Sequence, residues 1–235
     1  MKNMLMLLQP RSGLFFKTEL EYWLAVSILF SAGLVFAGSI FIGTFIFGFL
    51  LWNLFLGFIP YAISKWMQRN INWDDNKLKF CLGFVIWLLF IPNSFYILTD
   101  LFHLGSFDYI PSWFELAVIL SFAWNGLVLG ILSVRQIEKL IRGSLSNGNR
   151  LLFIYPVMFL NALGIYIGRY MRFNSWDVIA NPFHLLKDIS DLAMHPLEFR
   201  YAWGMIICFS VFLTLMFLTL TTLRDANVGR ELARI

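Results

Sequence analysis

The sequence predicts an all-α, polytopic membrane bundle of six spanning helices. Three observations predict it: charge is scarce, it is clumped, and the uncharged runs have the length of a bilayer crossing. Of 235 residues, 59% are hydrophobic and 14% charged, with a mean hydropathy of +0.72. A soluble domain carries about 25% charged residues. Five stretches carry no charge at all: Tyr22–Ser64, Phe80–Thr99, Leu116–Val134, Leu151–Gly168 and Tyr201–Leu223. They hold 123 residues, more than half the chain, so residues 1–235 read as a single integral membrane domain with little left for a soluble one.

A crossing helix needs about 20 apolar residues at about 1.5 Å each. Four of the runs fit one crossing apiece. The first, at 43 residues, would be about 65 Å long as one helix and must fold back. Ala37-Gly38-Ser39, with Gly33 and Gly43 nearby, is the natural place for that turn. The expected spans are therefore 21–37, 41–63, 80–98, 116–134, 151–168 and 201–223. Val35-Phe36-Ala37 resembles a signal-peptide cleavage site, but the apolar run continues straight into a second span, which argues for retention.

Counting Lys and Arg fixes the expected orientation. Fourteen fall on the N-terminal segment, the second and fourth connections and the C-terminal tail, against four on the other side. Both termini are thus expected in the cytoplasm, and the membrane is read as the plasma membrane. The net charge of +4 has the same origin. No basic cluster with interleaved aromatics stands outside the apolar runs, so nucleic acid is not an expected partner. Cys81 and Cys208 lie inside apolar runs, which disfavours a disulfide or a thiolate metal site.

This topology places all three histidines, His103, His184 and His195, on the outer side, with half of the acidic residues. Pro92 should kink the third span and free a carbonyl, which Asn93 can serve. If helix continues past Thr99, Asp100 and His103 lie at i, i+3 on one face. There a carboxylate can orient the imidazole, or both can hold a metal ion. A plain helix-end interaction accounts for the same pair.

The last outer loop carries the most regular pattern. Asn181-Pro182 reads as a helix start and Pro196 as its stop. Between them His184, Asp188, Asp191 and His195 form one stripe at about 100° per residue, with Leu185, Leu186, Ile189, Leu192 and Ala193 on an apolar arc. A short amphipathic helix follows, lying on the outer membrane surface or against the bundle. His and Asp are suitable zinc ligands, but three turns spread them over about 16 Å. The stripe equally describes the wet face of the helix.

Arg169, at the edge of the fifth span, can snorkel outward, pair with Asp100 or Asp177, or join Arg172 in gripping a phosphate or carboxylate. No acid or base is expected inside the bilayer, which disfavours proton-coupled transport. Asn53, Asn125 and Asn161, near span midpoints, read as interhelical hydrogen-bonding residues. Tyr96, Tyr109, Trp113, Tyr170, Trp176, Tyr201 and Trp203 read as an outer aromatic belt.

The run from Pro92 to Leu104 (Pro-Asn-Ser-Phe-Tyr-Ile-Leu-Thr-Asp-Leu-Phe-His-Leu), with Gly168-Arg169-Tyr170 and Asn174-Ser175-Trp176-Asp177, resembles the bacterial integral membrane proteins grouped as domain of unknown function 1361. The resemblance runs roughly from the second span to the sixth. In that family alanine commonly stands at the position of Ser94. It implies a polytopic bacterial membrane protein and supplies no activity, substrate or cofactor.

The residues themselves point to an outward-opening polar site that binds or processes a lipid-linked or envelope substrate. Asp100 and His103 would be its acid/base or metal pair, Arg169 its anion clamp, and Asp177 with His184, Asp188 or His195 its support. A divalent metal such as zinc would sit on His103, His184, Asp188 and His195. The competing expectation is a non-catalytic accessory subunit docking to an envelope protein; a small transporter fits less well.

Overall fold

In hydrocarbon a chain has to satisfy its backbone amides within each segment, so a sequence this apolar has helices as its solution. A computed structural model of the protein describes residues 19–70, 77–106, 109–142, 150–173 and 180–232. Among them the order is α1 (Glu19–Ile42), α2 (Gly48–Asn70), α3 (Lys77–Tyr96), a 3-10 helix η1 (Ile97–His103), α4 (Ser112–Arg142), α5 (Arg150–Arg169), α6 (Pro182–Met194) and α7 (Arg200–Leu232). No strand occurs among the described residues. Six helices are long and apolar enough to cross a membrane: α1, α2, α3 continued by η1, α4, α5 and α7. The chain is a multi-pass membrane protein.

The first turn lies later than the sequence suggests. α1 runs through Ala37-Gly38-Ser39 and ends at Ile42. Gly38 is a packing position, because a Cβ there would stand 2.9 Å from the Phe114 ring of α4. The Ser39 hydroxyl folds back onto its own helix, donating to the Val35 carbonyl at 2.8 Å. The chain reverses at Gly43, whose φ of +76° is a left-handed conformation that glycine adopts without a Cβ clash.

α4 is the hub. Sixty-seven percent of its apolar stretch is buried, against 33% or less in the other spans. It packs against α1, α2, α3 and η1, while α3 also meets α2 and α5, and α5 holds α7. Lipid tails give apolar side chains no incentive to leave them, so close backbone approach through small residues has to hold such a bundle. The end of α3 shows this. A Cβ on Gly126 would lie 2.6 Å from the Ser94 carbonyl oxygen, one on Gly130 2.7 Å from the Phe95 ring, and one on Gly164 2.6 Å from Pro92 Cγ. The segment Pro92–Ile97 is thus seated against glycines of α4 and α5.

Polar ties inside the bundle follow the same logic. Asn125 of α4 donates to the Ser31 hydroxyl of α1 at 2.8 Å, the interhelical role expected of it. Trp87 Nε1 donates to the Ser133 hydroxyl at 2.8 Å, and that hydroxyl lies 2.9 Å from the one on Ser64. At one end of the bundle Lys65 pairs with Glu21 and Arg150 with Glu138. The other end carries η1, the last turn of α5 and α6.

Gly126→Ala should destabilise the protein by about 1–3 kcal/mol through overpacking against Ser94. Gly33→Ala should be neutral or mildly stabilising, since nothing lies within 4 Å of its added Cβ. Thermal unfolding in a mild neutral detergent compares the two, and equal midpoints would contradict glycine-mediated seating.

Candidate functional site

The site begins at the proline of α3. Pro92 has no N–H and crowds the preceding turn, so α3 is a weakened helix where it leaves the bundle. The Asn93 amide donates to the Phe90 carbonyl at 3.0 Å, and the Ser94 hydroxyl crosses to the Gly57 carbonyl of α2 at 2.7 Å. Beyond Tyr96 the chain tightens into η1. With three residues per 3-10 turn, Asp100 and His103 stay on one ridge, as the i, i+3 spacing suggests.

The two nevertheless face different partners. Asp100 is 1% exposed. Its Oδ2 accepts from Asn53 Nδ2 of α2 at 2.9 Å, and its Oδ1 from Arg169 Nη1 of α5 at 3.3 Å. His103 stands edge-on to the Phe49 ring, centroids 5.8 Å apart. Asp100 is therefore the centre of a three-element junction rather than the orienter of an imidazole. It is also a buried acid within a candidate span, where the sequence suggests none.

Arg169 is held from several sides. It is 15% exposed, and its Nη1 is shared between Asp100 and the Tyr96 hydroxyl, the latter at 3.4 Å. Its guanidinium carbon lies 5.8 Å from the centroids of both the Tyr96 and Phe102 rings. Of the two partners the sequence offers for Arg169, Asp100 is the one the structure supplies. Asp177, with the rest of Asn174-Ser175-Trp176-Asp177, lies outside the described residues.

A cleft of about 360 Å³ runs up to this junction. Its walls are apolar, built from Leu56 of α2, Leu88 and Leu89 of α3, Leu160, Leu163 and Ile167 of α5, and Leu185 and Ile189 of α6. Asn53, Asn93 and Tyr96 provide the polar lining. The space exists because Pro92, Gly164 and Gly168 on its floor present little or no side chain. Trp52, Leu89 and Leu160 on its rim are 53%, 42% and 41% exposed on the flank of the bundle, so the cleft opens sideways, toward lipid. Beyond the end of α5, Arg172 adopts a φ of +60°, and Phe173 after it joins the lining.

α6 forms as the sequence predicts, from Pro182 to Met194, with His195 at its C-cap. It lies against the bundle: Leu192 is buried with Ala162, Ala202 and Ile206, and Trp203 Nε1 donates to the Leu192 carbonyl at 3.0 Å. The buried part of its apolar arc is narrower than expected, because Leu186 is 60% exposed. His184 Nδ1 and Asp188 Oδ2 are 3.5 Å apart on the open face. The His195 ring turns to the Asp191 backbone carbonyl at 3.2 Å. Among the described residues no three His, Cys, Asp or Glu side chains converge on a point that could hold a metal. His103, His184, Asp188 and His195 are accordingly not brought together as one ligand set.

Asn53 and Tyr96 are the site residues that the sequence leaves in other roles, one as a mid-span hydrogen bonder and one in the aromatic belt. Their signal was present but unspecific: an amide in a 43-residue run without charge, and a tyrosine four residues before the acid.

Residues 52–216 match a family model described as a protein of unknown function, DUF1361. The chain belongs to this family. The match opens at Trp52, beside Asn53, and takes in η1, Arg169 and the whole of α6. No curated protein matches the chain, and no solved structure does.

Removing one member of the buried pair should cost far more than its exposure suggests. Arg169→Ala strands a carboxylate that is 1% exposed and should destabilise by about 3–5 kcal/mol. Arg169→Ala with Asp100→Asn should recover part of that loss. A double-mutant cycle on unfolding midpoints measures the coupling, with His184→Ala as a control expected within about 0.5 kcal/mol of the parent.

Proposed function

We propose that the protein binds a membrane-borne, lipid-linked substrate in the lateral cleft, with the substrate's polar end at the Asp100–Arg169–Asn53–Tyr96 junction. The observation that carries this reading is an apolar cleft, open on the lipid-facing flank, whose polar lining includes Asn53 and Tyr96, the hydrogen-bond partners of the buried Asp100–Arg169 pair. A water-soluble substrate has no use for walls of leucine and isoleucine. A purely structural ion pair has no need of a 360 Å³ cleft beside it. Pockets that bind ligands combine mostly apolar walls with a few placed polar groups, and this one does.

The excess of Lys and Arg on the other side of the chain supports an outward-facing site in the plasma membrane. Within it Arg169 and Tyr96 bind and orient the head group. Asp100 positions Arg169, and Asn53 fixes the second carboxylate oxygen. His103, three residues past Asp100 and packed on Phe49, is the imidazole nearest the junction in sequence and the group for moving a proton.

The test is retention of lipid. Purified protein should carry co-purifying lipid detectable by native mass spectrometry, and Leu163→Trp, which fills the cleft, should strip it. Leu29→Trp, on a residue of α1 that is 70% exposed to lipid, should leave it in place. Equal retention in the two variants would remove the cleft as the binding site.

A further inference from the structure

We infer that the cleft selects an anionic amphiphile, one whose head group is a phosphate or carboxylate; this rests on the lipid-binding reading above and adds the charge of the head group. The argument is an account of donors and acceptors. Asp100 is 1% exposed, and each of its oxygens is engaged, one by Asn53 and one by Arg169. Its negative charge is enclosed and cannot reach a ligand. Arg169 differs in every respect. It is 15% exposed, and among the described residues only its Nη1 is engaged, at 3.3 and 3.4 Å. A guanidinium has five N–H donors and no acceptor, so among the described residues most of its fork is unengaged, beside Tyr96 and Gly168 of the cleft lining.

Tyr96 adds to the imbalance. Its hydroxyl oxygen accepts from Arg169, which leaves its own O–H to donate, and Tyr96 lines the cleft. The junction thus spends its charged acceptor internally and, apart from the Asn53 amide oxygen, presents donors outward. A group made only of acceptors complements it: a phosphate or carboxylate oxygen, which a guanidinium binds with short, charge-assisted hydrogen bonds. Asn53 uses its amide N–H on Asp100 and keeps its amide oxygen for one head-group hydroxyl.

The pair also lowers the cost of holding a charge at this depth. With Asp100 beside it, Arg169 is seated as an ion pair instead of a lone cation. It is kept in orientation by the Tyr96 and Phe102 rings, so no side-chain rotamer has to be found when a ligand arrives. A cationic head group meets the opposite situation, since the one carboxylate here is closed off and the accessible charge is of its own sign.

The experiment uses the full chain in a neutral maltoside detergent and measures the shift of its thermal unfolding midpoint with four probes. These are dodecyl phosphate, dodecanoate, dodecyltrimethylammonium and inorganic phosphate. Both anionic amphiphiles should raise the midpoint at concentrations about tenfold lower than the cationic one, the ratio expected of one charge-assisted hydrogen bond. Inorganic phosphate alone should do nothing, and Leu163→Trp should abolish the response to the amphiphiles. Tyr96→Phe, which removes a donor without touching the ion pair's carboxylate, should weaken the anionic probes and leave the cationic one unchanged. Equal response to anionic and cationic amphiphiles, lost in Leu163→Trp, would overturn the charge selection while leaving the cleft a lipid site. A response to inorganic phosphate equal to that of dodecyl phosphate would overturn the amphiphile assignment in favour of a free anion. No response to any amphiphile would overturn both this inference and the lipid-binding reading.

Discussion

One carboxylate organises this end of the molecule. A charge removed from water is tolerated only when opposite charge and hydrogen-bond donors surround it. Asp100 obtains them from two other helices, an amide from α2 and a guanidinium from α5. Satisfying that one group brings together elements that are distant in the chain: Asn53 is 47 residues before it and Arg169 69 residues after. Because apolar contacts within the bundle gain little over contacts with lipid, a requirement of this kind fixes register in a way that apolar side chains cannot.

The cleft is the complement of that junction. Glycines at 126 and 130 let α4 press against the end of α3, and Gly164 lets α5 press against Pro92 in the same way, while Gly164 and Gly168 also line the cleft. The same residue type therefore does two things around one segment. On both sides it permits contact, and on the α5 side it also leaves volume. Pro92 contributes to both, breaking the regular hydrogen-bond ladder of α3 so that the chain can tighten into η1 and point Asp100 inward.

The six spans were legible because bilayer thickness imposes a length on every uncharged run, and the short amphipathic helix because Pro182, Pro196 and a narrow His/Asp stripe mark it. The first turn was misplaced for an instructive reason. Ala37-Gly38-Ser39 has the composition of a turn, but in a membrane the same composition makes a packing face, and only the left-handed φ of Gly43 settles which glycine reverses the chain. The Asp100–Arg169 pair was readable as one of two pairings open to that arginine. Asn53 was not, because nothing local distinguishes it from Asn125, which ties α1 to α4. The histidines drew attention by lying on one side, yet His184 and His195 spend their ring contacts on their own helix and on Phe173, so shared sidedness did not mean convergence.

The wall that α6 lends to the cleft is not part of any spanning helix. It is held at its C-terminal end, where Leu192 is enclosed and Trp203 reaches its carbonyl, and nearer its start Leu185 is buried as well. Ile189 faces the cleft between these two leucines, so one side of the opening is built by a connection between spans rather than by a span.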